Sequence, residues 1–123
     1  MRNAVLGDCE ILVVEDEPLI AYEIALTLEE AGARVIGPVG SLGKALETIE
    51  RTSPNAAVLD VRLGRDDVGP AAAALARRDI PFVFHTGHAD AGLLADWPGR
   101  PIIRKPAPPG MILIEVLKLL ARA

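Results

Sequence analysis

The sequence predicts an α/β fold, a doubly wound five-stranded parallel sheet in a three-layer (βα)5 sandwich. Short apolar runs alternate five times with segments of helical period. The runs are almost uninterrupted by polar residues, as expected of strands covered on both faces. Right-handed crossovers between such strands then place helices on both sides of the sheet. The 123 residues suit one domain over 1–123, with a core from about residue 10 to 121.

The first strand is expected over Ile11 to Val14, followed by a helix that opens at Pro18, a residue suited to a first helical turn. Ile20, Ile24, Leu28 and Ala31 form its inner stripe, and Gly32 stops it. Arg34 to Gly37 reads as strand two, and Ser41 as the N-cap of a helix carrying Leu42, Ala45, Leu46 and Ile49 on one face. Ser53-Pro54-Asn55 ends that helix. Strand three, Ala56 to Leu59, closes at Asp60; Val61 to Gly69 form a polar, glycine-containing loop, and Pro70 to Arg78 a short alanine-rich helix. Ile80 to Phe84 is strand four. A helix of about two turns over Ala91 to Trp97 is broken by Pro98-Gly99, and a brief fifth strand precedes Lys105. The last helix, Gly110 to Ala121, carries Ile112, Val116, Leu119 and Leu120 on one stripe and Met111, Ile114 and Leu117 on another.

A net charge of -4 and the lack of a basic patch speak against direct nucleic-acid binding. Cys9 is the single cysteine, which precludes an internal disulfide and favours the cytoplasm. The apolar stretch near Met1 is too short for a signal peptide, and no run reaches membrane-spanning length.

Polar residues recur where the strands run out. Glu15 and Asp16 follow the first, Asp60 the third, Thr86 the fourth and Lys105 the fifth. In open parallel sheets ligands bind outside the carboxyl ends of the strands, so these five side chains converge without being sequence neighbours. Three acids suit a hard divalent cation. A carboxylate nucleophile beside an ammonium and a hydroxyl suits a phosphoryl group, whose transfer depends on positioning and charge stabilisation. Each residue alone has a plainer reading: Asp16 or Glu17 could cap the first helix, Asp60 could open a turn, Thr86 could bond locally and Lys105 could be solvated. Their common register favours the site. His85 and His88 lack a third nitrogen or sulfur ligand for zinc, so His85 is read as packed or partly exposed. Asp66-Asp67 is read as a solvated loop.

These residues, in this order, make the chain resemble the receiver domains of bacterial response regulators from about Glu10 to Ala121. The resemblance implies strand order 2-1-3-4-5 and phosphorylation of Asp60 by a histidine kinase or phosphotransfer protein. It implies Mg²⁺ held by Glu15, Asp16, Asp60 and the backbone carbonyl of Arg62, with Thr86 and Lys105 on the phosphoryl oxygens. It also implies a cis peptide before Pro106, and rate-modulating positions at Arg62, Gly87 and His88. Ile102 stands where many receivers have a switch aromatic, so the switch is expected to work without ring rotation. Phe84-His85-Thr86-Gly87 is similar to the Phe-Ala-Thr-Gly of the alphaproteobacterial "FAT GUY" receivers.

The function expected is phosphoryl-relay signalling by a monomer or weak dimer, with no enzyme activity beyond its own phosphoryl transfer and autodephosphorylation. A phosphorylation-independent pseudo-receiver is the binding-module alternative. A phosphatase of the haloacid-dehalogenase type wants an Asp-x-Asp pair, which Asp60-Val61-Arg62 lacks. Gly87 to Gly99, held down chiefly by Leu93, Leu94 and Trp97, is the expected switch segment, and Ile114 and Leu117 are candidate interface residues.

Overall fold

The computed structural model describes residues 5–87 and 91–122. Five parallel strands form one sheet: β1 (Glu10–Val14), β2 (Arg34–Val39), β3 (Ala56–Asp60), β4 (Phe82–Thr86) and β5 (Ile102–Arg104), in the order β2-β1-β3-β4-β5. The helices are α1 (Pro18–Glu30), α2 (Leu42–Arg51), α3 (Gly69–Arg77), α4 (Ala91–Ala95) and α5 (Pro109–Arg122). Alternation along the strands divides the core. Leu12, Val14, Leu59, Phe82 and Phe84 pack toward α2 and α3, with Leu93, Leu94 and Trp97 against the same layer. Ile11, Val13, Val58, Val83 and Ile103 pack toward α1 and α5. Both faces are thus covered, as the uninterrupted apolar runs require.

Local chemistry fixes the helix ends. Pro18 begins α1, where its missing N–H costs nothing, and the Glu17 carboxylate accepts the Leu19 N–H at 3.2 Å. Ser41 Oγ caps α2 by accepting the Lys44 N–H at 3.2 Å. Across the groove between α2 and α3, the Arg78 guanidinium donates to the carbonyl of Ile49, to that of Thr52 at 2.9 Å and to Ser53 Oγ at 3.1 Å. It thereby satisfies carbonyls at the end of α2 that have no helical partner. Arg78→Ala is expected to lower stability by about 1–3 kcal/mol, and urea unfolding would show no loss if the contacts contribute nothing.

Several boundaries differ from expectation. β4 starts at Phe82 rather than Ile80, because pairing with β3 begins at Ala57↔Phe82 and continues to Asp60↔His85; His85 and Thr86 therefore belong to the strand and are buried. β2 runs on to Val39 through a register shift against β1, with a cis Gly37–Pro38 bond. The segment after Asp60 is more structured than a polar loop: Arg62–Leu63 and Asp66–Asp67 form an antiparallel ribbon, and Val61, Leu63 and Val68 are buried. Gly64, at φ +65°, makes its turn. Asp66 and Asp67 are exposed, and Asp67 Oδ1 accepts the Gly69 N–H at 2.8 Å at the start of α3.

α4 is shorter than two full turns. On α5, Met111 and Ile114 are exposed, whereas Leu117 is half-buried against the core. The core also begins earlier than residue 10. Leu6 is fully buried, and its N–H donates to Ala31 O at 2.8 Å.

Candidate functional site

Glu15 and Asp16 lie just beyond β1 and Asp60 ends β3, the adjacent strand, so the sheet brings the acids together. One carboxylate oxygen from each of the three lies within 4.8 Å of the others. Their environments differ. Successive residues leaving a strand point to opposite sides, and here Glu15 is buried while Asp16 is exposed. Asp16 Oδ2 accepts the Gly64 N–H at 3.1 Å, so the ribbon turn steadies the exposed acid. Glu15 Oε2 accepts the Glu17 N–H at 3.1 Å.

Lys105 reaches in from the end of β5. Its Nζ stands 3.1 Å from Glu15 Oε1 and 3.3 Å from Asp60 Oδ1, and it donates to Glu15 Oε2 at 3.3 Å. The Lys105 N–H donates to the carbonyl of Thr86 at 2.8 Å, and the Lys105–Pro106 peptide is cis. Thr86, buried at the end of β4, is thus tied by its backbone to the residue whose ammonium faces Asp60. A Cβ on Gly87 would stand 3.7 Å from Cβ and Cδ of Lys105, ordinary contact with the stem of that side chain. Arg62 lies exposed in the ribbon two residues past Asp60. His88 is outside the described residues.

Three clustered carboxylates thus share one ammonium, which faces Glu15 and Asp60, and the imbalance sets the protonation of those two. Burial, and then the negative charge of Glu15, push the Asp60 carboxyl up to about 7. Burial alone would also raise Glu15, but His85, Asp60, the Glu17 N–H and Lys105 together outweigh it and bring it down to about 2. Burial works to lower the Lys105 ammonium, yet Asp60 and Glu15 prevail and raise it. The protein alone thus holds the cluster with a proton favoured on Asp60 and a charge on Glu15.

His85, read from the sequence as packed or partly exposed, is buried beside the acids. It pairs in register with Asp60 on β3 and with Ile103 on β5, and its Nδ1 lies 3.7 Å from Glu15 Oε1. The missed signal was parity: His85 stands two residues after Val83 on β4 and so shares its face, which packs toward α1 and α5.

Residues 11–111 match the family described as the response regulator receiver domain. The chain belongs to that family. The chain is 33% identical over 85 residues to the transcriptional regulatory protein PdtaR of Mycobacterium tuberculosis, covering 68% of this chain and 42% of that protein. It spans about two fifths of the length of the curated relatives it matches. The solution structure of SdrG from Sphingomonas melonis Fr1 is 40% identical, with a TM-score of 0.79 over 91% of this chain and 96% of that one. The receiver domain of the sensor histidine kinase PA1611 from Pseudomonas aeruginosa PAO1 is 25% identical, with a TM-score of 0.80 over 94% of this chain and 98% of that one. That structure has a magnesium ion coordinated in its active-site cleft. In this receiver domain the acid cluster occupies the carboxyl edge of the sheet, and the ribbon and Lys105 border it. Among the described residues no helix is long and apolar enough to cross a membrane.

Proposed function

We propose that this receiver domain takes a phosphoryl group on Asp60 from the phosphohistidine of a kinase or phosphotransfer protein and thereby alters its partner-binding surface. The observation that carries the reading is the setting of Asp60: a buried carboxyl at a strand end, 3.3 Å from the Lys105 ammonium and clustered with two further acids. In the transfer, an Asp60 carboxylate oxygen bonds to phosphorus as the donor's nitrogen–phosphorus bond breaks. The electron pair of that bond returns to the imidazole. Lys105 and the Thr86 hydroxyl bind the phosphoryl oxygens, stabilising charge where it accumulates.

The residues present fit Mg²⁺. An excess of carboxylate over ammonium and three oxygen donors within 4.8 Å are what a hard dication offsets. Glu15, Asp16, Asp60 and the Arg62 carbonyl would hold it. When bound, it supplies positive charge against the phosphoryl oxygens and favours the ionised, nucleophilic form of Asp60. The reading extends to one domain over the whole chain, acting in the cytoplasm, with Arg62, Gly87 and His88 modulating the lifetime of the modified state.

Incubation with a small phosphodonor and Mg²⁺, followed by intact-mass measurement, is expected to add one phosphoryl group to the parent and none to Asp60→Ala. Addition that survives Asp60→Ala would place the acceptor elsewhere. No addition to the parent would leave a phosphorylation-independent binding module.

The conformational readout is expected in the segment after β4. Trp97 packs edge-on against Phe82, with ring centroids 5.6 Å apart, and Ile102 is 41% exposed and has no ring to turn. Thr86 is therefore the element that would move toward the new oxygens, since a ligand shifts a population only through differential contacts. Thr86→Ala is expected to accept the phosphoryl group while its Trp97 fluorescence change falls to less than about half that of the parent. An undiminished change would clear Thr86 of the role.

A further inference from the structure

His85 has both ring nitrogens buried without a hydrogen-bond partner, and so does Glu15 Oε1. The ring and that oxygen, which also has the Lys105 ammonium 3.1 Å away, face each other at 3.7 Å, with 3% and 1% of their side chains exposed. That is a few tenths of an ångström beyond hydrogen-bonding reach. A buried ring donor left unmade costs free energy, and a small shift that joins it to the carboxylate oxygen removes that penalty. A cavity of about 170 Å³, lined also by Ile20, Glu23, Ile24, Lys105 and Ile112, lies against the ring, so packing does not lock the ring on that side. Plain packing explains the burial of His85 but not its choice, because Val83, the previous residue on the same face of the strand, is apolar and fills its place without polar atoms.

We propose that His85, with a proton on Nδ1, donates to Glu15 Oε1 and is a positioning residue for the cation site. It rests on the reading of Glu15, Asp16 and Asp60 as that site. Glu15 Oε2 is already held by the Glu17 N–H and by Lys105, and Oε1 has the Lys105 ammonium 3.1 Å away but no directed hydrogen bond. A bond at Oε1 fixes the remaining rotation of the carboxylate and keeps its charge turned toward Asp60, the residue in register with His85 on the neighbouring strand. Groups that hydrogen-bond a ligating side chain set its orientation, and their loss typically weakens metal binding about 10–100-fold.

Mg²⁺ affinity measured by calorimetry is expected to fall about tenfold in His85→Leu, which fills the space without a donor. His85→Asn, whose amide can donate to the same oxygen, is expected to recover most of the loss. Thermal unfolding of the metal-free proteins separates packing from positioning: a packing residue would be tolerated as leucine and penalised as asparagine, the reverse of the expected order for Mg²⁺. In the metal-free parent, nitrogen NMR of the histidine ring should show a proton on Nδ1. Unchanged Mg²⁺ affinity in His85→Leu, or a ring protonated only on Nε2, overturns the positioning role while leaving the cation site intact. If the parent itself binds no Mg²⁺, the cation reading fails and the proposal falls with it.

Discussion

Lys105→Ala is expected to slow phosphorylation from a small donor by about 10²-fold while Mg²⁺ still binds. The ammonium is the one cationic side chain that faces both Glu15 and Asp60 among the described residues, at 3.1 and 3.3 Å. Its removal leaves the oxygens that would hold the metal untouched, but takes away charge fixed in advance where a phosphoryl group would arrive. It also strands three carboxylates with no ammonium. Breaking a largely buried ion pair from one side is costly, so the metal-free domain should lose about 2–4 kcal/mol at pH 8. That corresponds to a melting temperature lower by roughly 10 °C for a domain of this size. The penalty should ease as pH falls and the carboxylates protonate. It should also shrink when Mg²⁺ is added, because a ligand of the native state stabilises it. Calorimetry, intact-mass kinetics and thermal unfolding read the three parts separately; a Lys105→Ala domain phosphorylated at the parental rate would remove Lys105 from the site.

How far the sequence revealed this site depends on which physical signal each part left. The convergence of Glu15, Asp16, Asp60 and Lys105 was legible because it follows from strand ends in a parallel sheet, and strand ends are marked where apolar runs stop. The covered faces and the helix starts at Pro18 and Ser41 were legible for similar local reasons. What depends on pairing was not. Ile80-Pro81-Phe82 reads as continuous apolar strand, but Asp79 adopts φ 57° at the turn before it and Pro81 has no N–H to give a ladder. The strand therefore starts at Phe82, and at its other end pairing runs past Phe84, which makes His85 the lateral neighbour of Asp60. Leu6 left no periodic signal because it is a single leucine in an irregular lead-in, and only its bond to Ala31 at the end of α1 reveals it.

The division of labour between Glu15 and Asp16 was equally hidden. Two adjacent acids look alike in a sequence. In the fold one is 3% exposed between Lys105 and His85, and the other is exposed and steadied by Gly64. That ribbon turn forms within what hydropathy alone marks as a polar loop, because the buried Val61, Leu63 and Val68 are too widely spaced to register as a run.

The same excess of negative charge makes a second expectation of opposite sign: Asp60→Asn should stabilise the metal-free domain at pH 8. Asp60 is raised from 3.8 to about 7 by burial and by Glu15. For a carboxyl whose folded value lies above its unfolded value, the native state holds a proton that the unfolded state has already lost between those two values. Stability therefore falls as pH rises from about 4 to about 7 and stays low above it. Glu15 behaves in the opposite way. Its lowered value, about 2 against 4.5, contributes stability above 4.5 that is lost only as pH falls toward 2, so it does not disturb the window in which Asp60 acts. Asparagine keeps the shape of Asp60 and can still donate to Glu15, but cannot ionise. Its advantage should be absent near pH 4, grow through pH 7 and level off at about 1–3 kcal/mol, less than the full shift implies because Lys105 relieves part of the repulsion. With Mg²⁺ at pH 8 the parent should gain stability and the variant little, narrowing the gap from the other side. Melting curves from pH 4 to 8, with and without Mg²⁺, test all of this in one series. A variant less stable than its parent at pH 8 without divalent cations would mean that Asp60 is satisfied by its protein neighbours alone, and the charge imbalance that motivates the cation site would be gone.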